Sequence, residues 1–128
     1  MVHVTAFFAG ILAFIFIGLS FHVIRLRQEL RIAIGDGGNA ALARRVRTHG
    51  NFAEYVPFAL LLMAIDEING TSEWLLVLMG LALVAGRLSH AYSLLVTEAK
   101  NYEDVRFRAA GILTTFGVIA LLALIAIF

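Results

Sequence analysis

The side chains suited to chemistry are concentrated in one segment, Arg44-Arg45-Val46-Arg47-Thr48-His49-Gly50-Asn51-Phe52-Ala53-Glu54-Tyr55-Val56-Pro57. It feeds directly into an apolar run, residues 56–65. On a helix, Arg47, Asn51, Glu54, Tyr55 and Phe58 share one stripe. A guanidinium, a carboxamide, a carboxylate and a phenol thus line one face where a helix enters an apolar layer. Two readings are open at this point. One is a helix end with solvated charges and an i, i+4-type network. The other is a polar ligand site at a membrane surface, since ionisable groups at membrane depth are costly and usually functional. Two further pairs stand near apolar runs. Arg87 and His90 share a face within one run, and Arg106 and Arg108 open the last one.

The elements that must position these groups are membrane helices. Hydrophobic residues make up 61% of the 128 positions, against roughly 45–50% in a soluble domain. Charged residues are only 15%, against about 25%. The fold class expected is an all-α integral membrane protein, a four-helix transmembrane bundle in one domain, residues 1–128. A net charge of +1 gives no reason to expect a nucleic-acid partner. The chain has no cysteine, which excludes disulfides, a thiolate nucleophile and Cys-based metal sites. Thiol chemistry would need a thiol brought by a substrate. No metal site is expected. Gly35, Gly37 and Gly38, with Asp36 and Asn39, read as turn formers rather than a phosphate cradle.

Spans are expected at approximately residues 4–24, 52–68, 74–96 and 107–128. The second has a polar start from about residue 41 that protein or headgroups must shield, and Pro57 should bend it. Trp74 is a suitable interfacial anchor for the third. A charge as deep as Arg87 should pair, and Glu54 is the expected partner, either as a structural bridge or with both groups turned to a ligand. Arg108 either snorkels at the interface or points inward as a fixed cation. Tyr92, Glu98, Lys100, Tyr102, Glu103 and Asp104 lead into a mixed-charge loop. His22 and His90 lack a supporting haem motif. The first span lacks the acidic residue that a small multidrug exporter needs.

The pattern Arg47-x-His49-x-Asn51-x-x-Glu54-Tyr55-x-Pro57 resembles the second-helix signature of the MAPEG family, the membrane-associated proteins in eicosanoid and glutathione metabolism. Ala85-Gly86-Arg87-Leu88-Ser89-His90 is similar to the family's third-helix Arg-x-x-Tyr/His element, and Arg108-Ala109-Ala110-Gly111 to its fourth-helix arginine. The resemblance covers essentially the whole chain. It implies a homotrimer that binds glutathione as co-substrate between subunits and conjugates it to a lipophilic electrophile, with peroxidase activity as an extension. It further implies that Arg47, His49, Asn51, Glu54, Tyr55, Arg87 and His90 hold the peptide. Arg108 would be the catalytic group that stabilises the thiolate, with Arg106 the alternative two residues away. A fixed cation lowers a thiol pKa from about 8.5, and arginine keeps its charge in a low-dielectric site. Leu94 stands where several eicosanoid enzymes carry a second tyrosine, which argues against an eicosanoid synthase. The alternative is a non-catalytic member that binds a lipid or glutathione-type ligand. Gly10, Gly18, Gly80 and Ala82 are the small residues expected to permit close contacts in a trimer.

Orientation follows from charge. Arg25, Arg27, Arg31, Arg44, Arg45, Arg47, Lys100, Arg106 and Arg108 sit in or beside the first and third connections. The second connection carries Asp66 and Glu67 and no basic residue. Residues 25–47 and 97–108 are therefore expected on the cytoplasmic side of a bacterial inner membrane, and residues 66–73 and both termini outside. Single cysteines at Asp36 and Thr71 should be labelled from opposite sides by a membrane-impermeant reagent; labelling from one side alone refutes four spans.

Overall fold

The computed structural model describes residues 1–101 and 104–128; the loop positions Tyr102 and Glu103 lie outside the described residues. Helix α1 is His3–Leu30, α2 is Ala40–Ile68 and α3 is Glu73–Tyr92. A π-helical turn, Ser93–Thr97, and a short α4, Glu98–Lys100, continue α3. Helix α5 is Arg106–Ile127. By length and apolar content, α1, the continuous rod from Glu73 to Lys100, and α5 are each able to cross a membrane. Helix α2 carries Glu54, Asp66 and Glu67 and does not qualify on composition alone.

Contacts at its two ends lay α2 beside α1 over the same length. The Glu67 carboxylate, near its C-terminal end, accepts from the backbone N–H groups of Val4 and Thr5 at 2.8 Å each. These are otherwise orphan donors in the first turn of α1, which has no side-chain cap of its own. Near the other end, Arg45 Nη1 donates to the His22 carbonyl at 2.8 Å. Helix α2 therefore lies antiparallel along α1. Its 29 residues span about 43 Å at 1.5 Å per residue, more than a hydrocarbon core.

The first connection is closed by its own side chains. Arg27 Nη1 donates to the Gly35 carbonyl at 2.7 Å, and Asn39 Oδ1 caps α2 by accepting from Leu42 N at 2.9 Å. Gly35, Gly37 and Gly38 all take positive φ, as turn formers do. The core runs down the bundle through Leu12, Phe52, Met63, Leu76, Leu83 and Leu122. Burying such side chains is worth about 1.5–3 kcal/mol each in water. Lipid tails are as apolar as leucine, so close packing carries more of the load here.

The tightest crossing is between α3 and α5, where Gly86 meets Gly111. A methyl group on Gly111 would come within 2.7 Å of the His90 backbone nitrogen and would also strike the Gly86 carbonyl oxygen. The small residues expected at a subunit contact divide differently. Gly80 receives the ring of Phe8 within the protomer, whereas Gly10 and Gly18 have open space above them. Gly111→Ala should cost about 1–3 kcal/mol, because the atoms it meets are backbone and cannot rotate away. Gly117→Ala, with nothing nearby, should be neutral or gain up to about 1 kcal/mol in helix propensity. Thermal unfolding in detergent compares them; equal melting points would show that this crossing is not tight.

Candidate functional site

Helix geometry divides the α2 stripe in two. Successive residues turn by about 100°, so Asn51 and Tyr55 lie toward one edge and Arg47, Glu54 and Phe58 toward the other. The first edge faces inward. Asn51 is buried, and the Tyr55 ring meets Phe116 of α5 with centroids 5.3 Å apart. The second edge is open, with the Arg47 and Glu54 side chains 56% and 51% exposed.

Arg87 of α3 is 2% exposed. Its Nη1 donates to Asn51 Oδ1 at 2.6 Å, and its Nη2 donates to the Gly111 carbonyl at 3.2 Å. Thr115 Oγ1 donates to the same carbonyl at 2.8 Å. The Nε of Arg87 is buried with no hydrogen-bond partner. The expected Glu54–Arg87 bridge is not formed. Glu54 Oε1 instead accepts from Arg47 Nη1 at 2.9 Å. The reason is angular: Glu54 lies about 60° around the helix from Asn51, so Asn51 occupies the inward position and Glu54 stays on the open edge. Among the described residues no carboxylate pairs with Arg87.

His90, one turn beyond Arg87, is also buried. Arg87, Arg108 and Arg47, from three different helices, all act electrostatically on its ring. Tyr55 lies within electrostatic reach of Arg87. Arg47, Asn51, Glu54, Tyr55, Arg87, His90 and Arg108 are thus drawn toward one end of the bundle. His49 is not among them. It lies on the opposite face of α2, with Nε2 3.0 Å from Ser20 Oγ and its ring stacked on Phe16.

The two candidate arginines of α5 differ in setting. Arg106 is 85% exposed and donates from Nε to Asp104 Oδ1 at 3.0 Å, a bond that holds the Asp104 carboxyl below the usual aspartate range. Arg108 donates from Nη1 to Glu98 Oε2 at 2.9 Å. Glu98 Oε1 accepts from the buried Ser93 hydroxyl, also at 2.9 Å. Ser93, Glu98 and the Gly111 carbonyl were not among the expected site residues. The spacing of Glu98 ahead of Arg108 is visible in the chain, but the π-helical turn that aims it has no sequence signature. An apolar cleft of about 210 Å³, lined by Leu12, Phe16, Phe52, Val56, Pro57 and Leu60, lies between α1 and α2, on the far side of α2 from the arginines.

Fold and site together define an integral membrane helix bundle with a guanidinium-rich polar cluster inside one end. The MAPEG family profile matches residues 5–128, and the chain belongs to that family. It is 37% identical over 121 residues to the inner membrane protein YecN of Escherichia coli strain K12, an alignment covering 94% of this chain and 88% of that protein. The same figures hold for the inner membrane protein YecN of Escherichia coli O6:H1 strain CFT073. The chain is accordingly an integral inner membrane protein of bacterial type.

The geometry fixes which substitutions should matter. Asn51→Leu leaves the buried Arg87 Nη1 without its acceptor and should destabilise by about 1–3 kcal/mol. The double variant Asn51→Leu/Arg87→Met should recover part of that loss, because no buried donor is then left without an acceptor. Glu54→Gln, at an exposed pair, should change stability by no more than about 1 kcal/mol. Melting curves in one detergent decide; a Glu54→Gln loss as large as that of Asn51→Leu would restore the Glu54–Arg87 bridge.

Proposed function

We propose that this protein is a glutathione S-transferase of the inner membrane, conjugating glutathione to lipophilic electrophiles at the cytoplasmic end of the bundle. The observation that carries the reading is that Arg47, Arg87 and Arg108 all act on the buried His90, with Glu54 and Glu98 the carboxylates paired to them among the described residues. Three guanidiniums against two carboxylates leave an excess positive charge beside an apolar interior. An anionic tripeptide with a thiol fits that excess, and family membership supports the same ligand.

Each residue then has a physical task. A guanidinium has no acceptor, so Asn51 must turn its Oδ1 to Arg87. Its Nδ2 is left to donate to a carboxylate of the peptide. Arg47 supplies the charge for that carboxylate, and Tyr55, Glu54 and His90 complete the cradle. His49 is carried over from the family pattern alone, its contacts being with α1. Arg108 stabilises the thiolate. The sulfur's electron pair then attacks an electrophilic carbon of the membrane-dissolved substrate. An S–C bond forms, and the leaving group departs with the bonding electrons. Arg47 and Glu54 are half-exposed where the polar start of α2 meets its apolar run, with Phe58 exposed on the same edge. Such an edge against lipid is costly, so a neighbouring copy covering it supports a homotrimer with the ligand between protomers.

A second reading has one observation in its favour. The Arg108 charge is already engaged by Glu98, which suits a protein that holds a lipid or glutathione-type ligand without ionising a thiol. Calorimetry with glutathione and S-alkyl glutathione, followed by thiolate absorbance and turnover of a model electrophile, separates the two. Wild type should bind and ionise glutathione. Arg47→Ala should weaken binding about tenfold, equivalent to about 1.4 kcal/mol. Arg108→Ala should keep most of the affinity, lose the thiolate signal and slow turnover by about 10- to 1000-fold. Binding without thiolate selects the second reading, and stabilisation by lipid alone refutes glutathione as the ligand.

A further inference from the structure

The carboxylate on Arg108 is built into the fold. Ser93 and Glu98 are five residues apart, and the π-helical turn Ser93–Thr97 lies between them. An i→i+5 turn brings such a pair onto one side, and π-turns inside α-helices are frequent at functional sites. Here Ser93 Oγ donates to Glu98 Oε1 at 2.9 Å, with the serine fully buried and the Glu98 side chain 9% exposed. Thr97 Oγ1 ties the same turn to the Asp104 carbonyl at 3.4 Å, just ahead of α5. Both oxygens of Glu98 are therefore engaged, one by its own rod and one by Arg108 of the next helix.

The pair is asymmetric. Glu98 is the buried, anchored member, whereas the Arg108 side chain is 39% exposed and turns Nη1 to the carboxylate. The remaining donors of the guanidinium fork are open to a second anion. Arg108 also acts on the buried His90, as do Arg87 and Arg47.

We propose that Glu98 is the positioning residue of the thiolate site: it fixes the direction of the Arg108 fork and, by sharing its charge, sets how strongly that arginine favours an ionised sulfur. This rests on the glutathione reading above and adds a residue to it. Two effects follow with opposite signs. As a holder, Glu98 promotes catalysis by keeping the guanidinium aimed. As a nearby negative charge, it disfavours the thiolate. A fully uncompensated arginine would ionise the thiol more completely but would make the sulfur a poorer nucleophile, because nucleophilicity falls with pKa.

Substitution separates the effects. Glu98→Gln keeps an oxygen for Arg108 and removes the charge. In the purified full-length protein with bound glutathione, the thiol pKa, read from thiolate absorbance against pH, should fall by about one unit. Glu98→Ala removes the holder as well, and kcat should drop by about 10- to 100-fold with KM for glutathione little changed. If Glu98→Gln does not fold, Glu98→Asp, which withdraws the charge by one methylene, should move the thiol pKa in the same direction by less. A thiol pKa identical to wild type in whichever of these two variants folds and binds glutathione overturns the proposal and makes the pair purely structural. A wild type that shows no heat with glutathione refutes the function itself, and the inference with it.

Discussion

The structure depends on one buried cation. Arg87 lies 2% exposed within a membrane-crossing helix, with no carboxylate paired to it among the described residues. A guanidinium in that position is tolerated only if neutral acceptors reach it. Two do, and each imposes a condition on the bundle. The Gly111 carbonyl is within reach because α3 and α5 touch at Gly86 and Gly111, where any side chain would hold the helices apart. The Asn51 carboxamide is within reach because α2 presents that position inward. Helix spacing, helix rotation and the inward polar edge of α2 are thus consequences of accommodating a single charge.

That arrangement is a poor way to gain stability. An apolar residue of similar size at position 87 would pack without the desolvation penalty, and such replacements are often neutral or stabilising in other proteins. The charge is more intelligible as a functional investment. A carboxylate at Arg87 would cancel it, whereas the amide and carbonyl acceptors engage its two terminal nitrogens and leave the field intact. The field then adds to those of Arg47 and Arg108 at His90. The cluster holds both kinds of cation, one held by dipoles and two paired with acids. In the proposed function the first would attract an anion, and the other two would be redistributed when one arrives.

Much of this was legible in the chain, and the boundary is physical. Apolar run length and composition define three membrane helices, and the polar start of α2 leaves the fourth to its apolar second half and its packing along α1. The polar stripe on α2 follows from helical period, and Arg87 with His90 from i, i+3 spacing. The partner of Arg87 was not legible. Charge matching favours Glu54, but about 60° of helix rotation turns Asn51 inward instead, and that rotation is set by packing against α1 and α5. Gly111 was visible as the end of an Arg-Ala-Ala-Gly motif, yet its use as an acceptor depends on a helix crossing that no local pattern encodes. Glu98 was hidden for a third reason: its aim comes from an extra residue in a helical turn, and π-turns are imposed by their surroundings rather than by propensity.

The open edge of α2 carries the argument from one chain to an assembly. Arg47 and Glu54 satisfy each other yet remain half-exposed on the edge of α2 that continues into exposed Phe58. An ion pair in contact with hydrocarbon loses hydration without gaining the extra hydrogen bonds that make buried pairs tolerable. Gly10 and Gly18, with nothing packed above them, give α1 a smooth surface on which another helix can lie closely. A copy of the same chain covering the α2 edge would exclude lipid from the pair and close the cationic cluster from the side. In the proposed trimer the ligand space is therefore bounded by two protomers. The arginines of one would then act on an anion under lower dielectric than a lone bundle provides, which is the condition under which a fixed cation acts most strongly on a thiol.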